Sequence, residues 1–140
     1  MSCELDERGL PPSYPFKEEW EITPRECQAR CSEILILDVR QADELAVASV
    51  EGATHIPLGE LALRIDELGE DDDAEIATLC HHGQRALQAA SLLRQYGFDN
   101  AKAIAGGIDV WSVACDDGVP RYKRVAGKCV VVAVDSPLKG

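Results

Sequence analysis

No part of this 140-residue sequence approaches the roughly 20 consecutive apolar residues that a helix needs to cross a bilayer. The longest obvious apolar run, Cys129–Val134, has six residues. The N-terminus also lacks a basic segment followed by an apolar stretch, which argues against a secretory signal. We therefore expect a cytoplasmic protein with no membrane partner.

Basic residues are scarce as well. There are 14 Lys and Arg against 25 Asp and Glu, which gives a net charge of −11. A surface of this sign repels phosphate backbones, so we expect no nucleic-acid partner. The charge is uneven, because residues 1–117 carry −15 and residues 118–140 carry +4. Seven of the acidic residues lie within Asp66–Glu75, which we interpret as a solvated loop.

The cysteines form no Cys-x-x-Cys pair. A zinc site would need further ligands at a recognisable spacing, and only Cys80, His81 and His82 stand together, so we expect no metal and no other cofactor. A chain of this length can build a core without disulfides, and with no export signal we expect reduced thiols. The six residues are Cys3, Cys27, Cys31, Cys80, Cys115 and Cys129.

The sequence does contain an alternation of strand and helix patterns, which predicts an α/β fold. Ile34–Leu37 is a continuous apolar run without alternation, which is typical of a parallel strand buried on both faces, and we predict further buried strands at Ile76–Leu79 and Ala101–Ile104. Shorter strands are predicted at Ile22 and at residues 54–57. We predict helices after the cap Thr23, over Asp43–Ala48, Leu61–Leu68 and Arg85–Tyr96, and after Gly106-Gly107.

These patterns divide the chain into an N-terminal arm (1–20), one α/β domain (21–122) and a basic C-terminal tail (123–140). The proline-rich arm carries Tyr14, Phe16 and Trp20 as anchors to the domain. The apolar run in the tail has two interpretations. It is either an added edge strand that binds a partner or a second copy, or a strand docked on its own domain, and we favour the second.

The segment Leu79–Arg85 is the most informative for function. It follows a predicted buried strand and begins a predicted helix, and in open α/β sheets ligands bind at the carboxyl ends of strands. A tight loop at a helix N-terminus directs backbone N–H groups at negative charge. We therefore expect Cys80 to be a nucleophilic thiolate, favoured by the helix dipole and by Arg85. Gly83 lets the backbone turn tightly there.

This loop, together with several other motifs, resembles the rhodanese-like sulfurtransferase family. Asp38-Val39-Arg40, with Glu44 four residues after Arg40, resembles the Asp-Val-Arg element of that family. Further similarity lies, in the right order, in Gly52–Leu58, in Gly97–Asn100, in Gly106-Gly107-Ile108 with Trp111, and in the closing segment Val119–Tyr122. The resemblance covers about 100 residues, and several motifs in register are a specific signal.

The resemblance implies a three-layer rhodanese-like domain with a central, mainly parallel sheet and helices on both faces. It also implies a two-step sulfurtransferase. Cys80 would take sulfane sulfur from a small anionic donor such as thiosulfate and pass it, as a persulfide, to a thiol or cyanide. Arg85 would hold the donor, and the loop N–H groups would stabilise the persulfide. A protein that relays sulfur is a further candidate partner.

The other site residues follow from the same resemblance. The candidate substrate-binding residues are His81, His82, Gly83 and Gln84. We expect Asp38 near the loop at the end of the neighbouring strand, with Arg40 and Glu44 forming a structural ion pair. The remaining cysteines are not expected to be catalytic, and a relay role for Cys115 is the less favoured alternative.

Two other functions stay open. A phosphatase or arsenate reductase-like enzyme would use the same kind of loop, but Cys80 to Arg85 is Cys-x4-Arg, one residue shorter than the Cys-x5-Arg loop that surrounds a phosphoryl group in tyrosine phosphatases. The second alternative is a non-enzymatic binding or sulfur-carrier module. In a binding module, Cys80 would be an unreactive thiol.

Overall fold

The computed structural model describes residues 4–138, and a five-stranded parallel sheet forms its centre. The strands are β1 (Glu21–Ile22), β2 (Ile34–Asp38), β3 (Thr54–His55), β4 (Glu75–Leu79) and β5 (Ala101–Ile104), in the spatial order β1-β5-β4-β2-β3. The central strands β4 and β2 are largely buried, as the unbroken apolar run Ile34–Leu37 predicts for β2. The predicted parallel strands are confirmed.

Helices cover both faces of the sheet. They are α1 (Pro24–Ala29), α2 (Ala42–Val47), α3 (Gln84–Gln95) and α4 (Gly107–Ala114). Side chains of α3, among them Ala86, Ala90 and Leu93, pack on one face. The other face holds Cys27 of α1 and Ile108 and Trp111 of α4. The result is the expected three-layer α/β fold.

The helix expected over Leu61–Leu68 is wrong in type. Two 3₁₀-helices, Leu58–Leu63 and Ile65–Leu68, occupy this region. A 3₁₀-helix brings residues three apart onto one face, and within each of the two helices the core-facing residues are three apart. Leu58, Leu61, Ile65 and Leu68 contact the core, whereas Leu63 is 87% exposed.

The basic tail forms a hairpin of β6 (Tyr122–Val125) and β7 (Lys128–Val131). Within residues 4–138, β7 pairs with β6 and not with the central sheet, so it adds no strand to the edge of that sheet. The segment after β7 is docked on its own domain, because the buried Arg121 guanidinium donates to the carbonyls of Val134, Ser136 and Pro137.

The N-terminal arm also packs on the body. Tyr14 and Phe16 contact a small core of Leu10, Ala105 and Val110. Cys3 and Lys139, which were counted above among the cysteines and the basic charges, lie outside the described residues. No helix in residues 4–138 is both long and apolar enough to span a membrane.

Candidate active site

Cys80 lies where the sequence predicts, at the carboxyl end of β4. The loop 80–83 connects this strand to α3. Asp38, at the end of β2, is in register with Leu79, and the N–H of Val39 donates to the Leu79 carbonyl at 2.9 Å. Two central strands therefore end side by side at the loop, as is usual for ligand sites in open parallel sheets.

The thiol of Cys80 lies at the base of a small cavity. The residue is 1% exposed, and the Gly83 N–H donates to its Sγ at 2.9 Å. The cavity has a volume of about 130 Å³ and is lined by Cys80, His81, His82, Gln84 and Arg85. The N–H groups of Gln84 and Arg85, which begin α3, have no acceptor among residues 4–138. They belong to the first turn of the helix, where N–H groups bind anions.

Two glycines let the loop adopt this shape. Gly83 has a φ of +112°, a conformation that side chains disfavour. Gly107 begins α4 and lies against the loop, and a Cβ there would overlap the carbonyl oxygens of Cys80 and His81. These carbonyls accept hydrogen bonds from the N–H groups of Ile108 and Asp109. The first turn of α4 thus holds the loop from behind.

The charged pairs near the loop differ from the expectation. The predicted Arg40–Glu44 ion pair is wrong, because Arg40 pairs with Asp38, with Nη2 and Oδ2 2.6 Å apart. Glu44 instead accepts two hydrogen bonds from Arg85, at 2.7 and 2.9 Å. Asp38 ends β2 and Arg40 follows it, so the two side chains lie close enough for a bidentate contact. Glu44 of α2 instead faces Arg85 of α3 and binds it bidentately.

Tyr122 connects the two pairs. Its hydroxyl donates to Glu44 Oε2 at 2.7 Å and accepts from Arg40 Nη1 at 3.0 Å. Burial raises the pKa of Glu44, but the hydrogen bonds from Arg85 and Tyr122 outweigh burial and lower the pKa to about 2. Glu44 is therefore ionised at neutral pH, and its charge fixes the Arg85 side chain at the cavity wall.

His81 is held against the hairpin. Its ring stacks on Tyr122 with centroids 4.0 Å apart, and on His82 at 3.8 Å. The Nε2 of His81 lies 2.9 Å from the Tyr122 carbonyl. Burial lowers the pKa of His81, so the ring is neutral at pH 7. Since a carbonyl only accepts, the proton of the neutral ring is on Nε2.

A larger cavity adjoins the loop on this side. It has a volume of about 490 Å³, and its walls include His81, His82, Lys123 and Arg124. The other described cysteines, Cys27, Cys31, Cys115 and Cys129, are free thiols that line neither cavity. Among the described residues, no three His, Cys, Asp or Glu side chains come together as metal ligands would.

Sequence reasoning missed the parts played by Tyr122 and Tyr14. Tyr122 stood in the closing segment of the resemblance, but its sequence position gave no sign that it lies between Arg40 and Glu44. Tyr14 lies behind the loop, where its hydroxyl donates to the buried Glu21 carboxylate at 2.6 Å and accepts from the Gly106 N–H at 3.1 Å. Nothing in the sequence marks this long-range contact.

Known proteins are similar to this chain in sequence and in fold. The chain is 40% identical to YrkF of Bacillus subtilis over 77 residues, which are 55% of this chain and 40% of YrkF. It is 32% identical to the thiosulfate sulfurtransferase GlpE of Pseudomonas entomophila over 91 residues, 64% of this chain and 82% of GlpE. It spans only 19% and 27% of two longer maize relatives.

A solved structure is similar to this chain in fold as well as in sequence. A rhodanese-related protein from Thermoplasma volcanium superimposes with a TM-score of 0.60 at 30% identity, covering 66% of this chain and 89% of that one. The family described as "Rhodanese-like domain" matches residues 23–114, well over half of the sequence. The match contains the Cys80 loop together with Asp38, Arg40, Glu44 and Gly107. The chain therefore belongs to the rhodanese-like domain family.

Proposed function

We propose that this chain is a sulfurtransferase that carries sulfane sulfur as a persulfide on Cys80. The observation that supports the proposal most directly is the position of the Cys80 thiol, 2.9 Å from the Gly83 N–H at the base of a cavity of about 130 Å³. A thiol that accepts a backbone N–H at a helix N-terminus is favoured as the thiolate, which is the nucleophilic form. Relatives named as sulfurtransferases support the same chemistry.

In the first step, the Cys80 thiolate attacks the outer sulfur of a donor such as thiosulfate. A bond forms between Sγ and that sulfur, the sulfur–sulfur bond of thiosulfate breaks, and sulfite leaves with the electron pair. The loop N–H groups then stabilise the terminal sulfur anion. In the second step, cyanide or a thiol attacks the outer sulfur, and Cys80 leaves as the thiolate. Atoms and charge balance in both steps.

Arg85 supplies positive charge to the cavity wall. Two of its five N–H donors bind Glu44, so the remaining donors are available to an anionic donor or leaving group. Its side chain is 34% exposed, whereas Glu44 is 2% exposed. We infer that Glu44 positions Arg85 from inside the protein, and that Arg85 contacts the substrate.

Mass spectrometry after thiosulfate treatment tests the proposal. We expect one extra sulfur atom on the wild-type protein and on Cys31→Ala, a control that removes an exposed cysteine, and none on Cys80→Ala. Cyanide-dependent turnover of thiosulfate should follow the same order. Equal turnover by Cys80→Ala and wild type would refute the assignment.

The same variants distinguish the alternatives. Turnover of an aryl phosphate that is lost in Cys80→Ser would favour a phosphatase, against the six-residue loop. A persulfide that forms but reaches no small acceptor would favour a sulfur carrier. A comparison of thiosulfate, mercaptopyruvate and a persulfidated protein as donors then identifies the preferred source of sulfur.

A further inference from the structure

We propose that Lys123 recognises the carboxylate of the sulfur acceptor, so that the preferred acceptor is a thiol that carries a carboxylate on a small organic body. This inference rests on the proposed function, since it assigns the acceptor of the Cys80 persulfide. It concerns the cavity of about 490 Å³ beside the loop, which is lined in part by Tyr122, Lys123 and Arg124 of the β6–β7 hairpin. The hairpin lies outside the residues that match the family, 23–114.

The two cavities have different sizes and share a wall. His81 and His82 line both. The smaller cavity holds the Cys80 thiol and suits a small anion or the reacting end of a larger molecule. The larger cavity is within the range of roughly 300–1,000 Å³ that binds small organic molecules. An acceptor whose thiol enters the smaller cavity therefore has room for its body in the larger one.

The charges that line the larger cavity indicate which chemical group the acceptor carries. Arg121 is neutralised by the buried carboxylate of Asp109, with Nε and Oδ1 2.7 Å apart. Arg124 pairs with Asp43 at 3.0 Å and lies 3.5 Å from Glu44. Lys123 is exposed and has no ion-pair partner within residues 4–138. It is thus the basic wall residue whose charge is available to a ligand, and a carboxylate is the matching group.

The remaining walls suit an organic molecule. The apolar residues Val132 and Pro137 and the polar residue Ser136 also line the cavity. The tail that carries these residues is held in place by Arg121, which donates to three of its carbonyls. The cavity is therefore a formed site and does not depend on a loose segment.

The transfer step is a simple displacement. The acceptor thiolate attacks the outer sulfur of the Cys80 persulfide, a new sulfur–sulfur bond forms on the acceptor, and the bond to Cys80 Sγ breaks with the electron pair on Cys80. The acceptor leaves as a persulfide. No external oxidant or reductant takes part.

The test compares two acceptors on the persulfidated protein at about 0.15 M salt, where charges more than roughly 8 Å apart are screened. One acceptor is 3-mercaptopropionate, which carries a carboxylate, and the other is neutral 2-mercaptoethanol. The variant is Lys123→Glu. Its matched control is Lys128→Glu, which makes the same charge change on the same hairpin at a residue that does not line the cavity.

We expect Lys123→Glu to raise the KM for 3-mercaptopropionate about fivefold or more, since attraction is replaced by repulsion, and to leave 2-mercaptoethanol within about twofold. Lys123→Arg should restore the wild-type value, and Lys128→Glu should stay near wild type with both thiols. Equal effects of the two Glu variants, or no effect of Lys123→Glu, would overturn the inference.

Cyanide turnover separates this failure from that of the proposed function. Cyanide needs no carboxylate site, so its turnover by the wild type and by Cys80→Ala tests the persulfide chemistry independently of Lys123. If cyanide turnover depends on Cys80 while the thiol preference ignores Lys123, only the acceptor assignment is wrong. If neither the wild type nor any variant forms a persulfide, the proposed function itself is wrong.

Discussion

Replacing Glu44 with Gln removes the negative charge from the buried network behind the Cys80 loop. The variant keeps the shape of the side chain, but one carboxylate oxygen becomes an amide nitrogen that cannot accept. Glu44 accepts from both Arg85 and Tyr122, so at least one of these donors loses its partner. The perturbation therefore acts on Arg85 and Tyr122 without creating a cavity.

Two observations give the size of the effect. Removing one partner of a fully buried ion pair costs about 3–5 kcal/mol, but Arg85 is 34% exposed and water can solvate it, which places the cost near or below the lower limit. Independently, a pKa of about 2 for Glu44, against an ordinary value of 4.5, corresponds to about 3 kcal/mol. We expect Glu44→Gln to lose about 2–3 kcal/mol at pH 7, or roughly 10 °C in Tm.

The pH dependence has a definite sign. Because the pKa of Glu44 is lower in the folded protein, the unfolded chain takes up the proton first as the pH falls. The stabilisation is complete above about pH 4.5 and is lost as the pH falls toward 2. The difference between wild type and Glu44→Gln should therefore shrink through this interval.

Thermal and urea unfolding followed by circular dichroism, at pH 7 and at steps below pH 4.5, measures both effects. Glu60→Gln is the matched control, since Glu60 is 56% exposed in its pair with Arg64 and should change stability by less than about 0.5 kcal/mol. If Glu44→Gln is no less stable than Glu60→Gln at pH 7, or if its deficit does not depend on pH, the reasoning about the network is refuted.

Three further predictions concern other parts of the site. Gly107→Ala should lower cyanide turnover about tenfold or more, because the new Cβ overlaps two loop carbonyls, whereas Gly127→Ala, also at positive φ but with nothing within 4 Å, should leave turnover unchanged. Tyr122→Phe should cost about 1–3 kcal/mol in urea unfolding, and Tyr96→Phe, which is half-exposed, within about 0.5 kcal/mol. Arg121→Met should make the amides after β7 exchange with deuterium about tenfold faster, since their segment loses its buried anchor.

Each of these three predictions would be contradicted by a specific result. Equal turnover of the two alanine variants would show that the loop does not need close contact with Gly107. Equal stability of the two phenylalanine variants would show that the Tyr122 hydroxyl is not needed between Arg40 and Glu44. Unchanged exchange in Arg121→Met would show that other contacts hold the tail.

Local patterns predicted most of the fold correctly. The run Ile34–Leu37 lies in a strand because an unbroken apolar segment is buried on both faces of a parallel sheet. The region Leu58–Leu68 was assigned the wrong helix type. Leu58, Leu61, Ile65 and Leu68 are spaced three, four and three apart, which also fits an α-helix, so the sequence pattern did not distinguish the two helix types.

The sequence by itself determined the sheet, the Cys80–Arg85 loop and the family, because these depend on neighbours in the chain. Only the tertiary structure decided that Arg40 pairs with Asp38, that Glu44 holds Arg85, and that the basic hairpin lies beside the loop. Partners in a buried charge network converge from separate elements, and spacing along the chain does not encode that convergence. The net charge of −11 therefore hid an arrangement in which the basic segment lies next to the site.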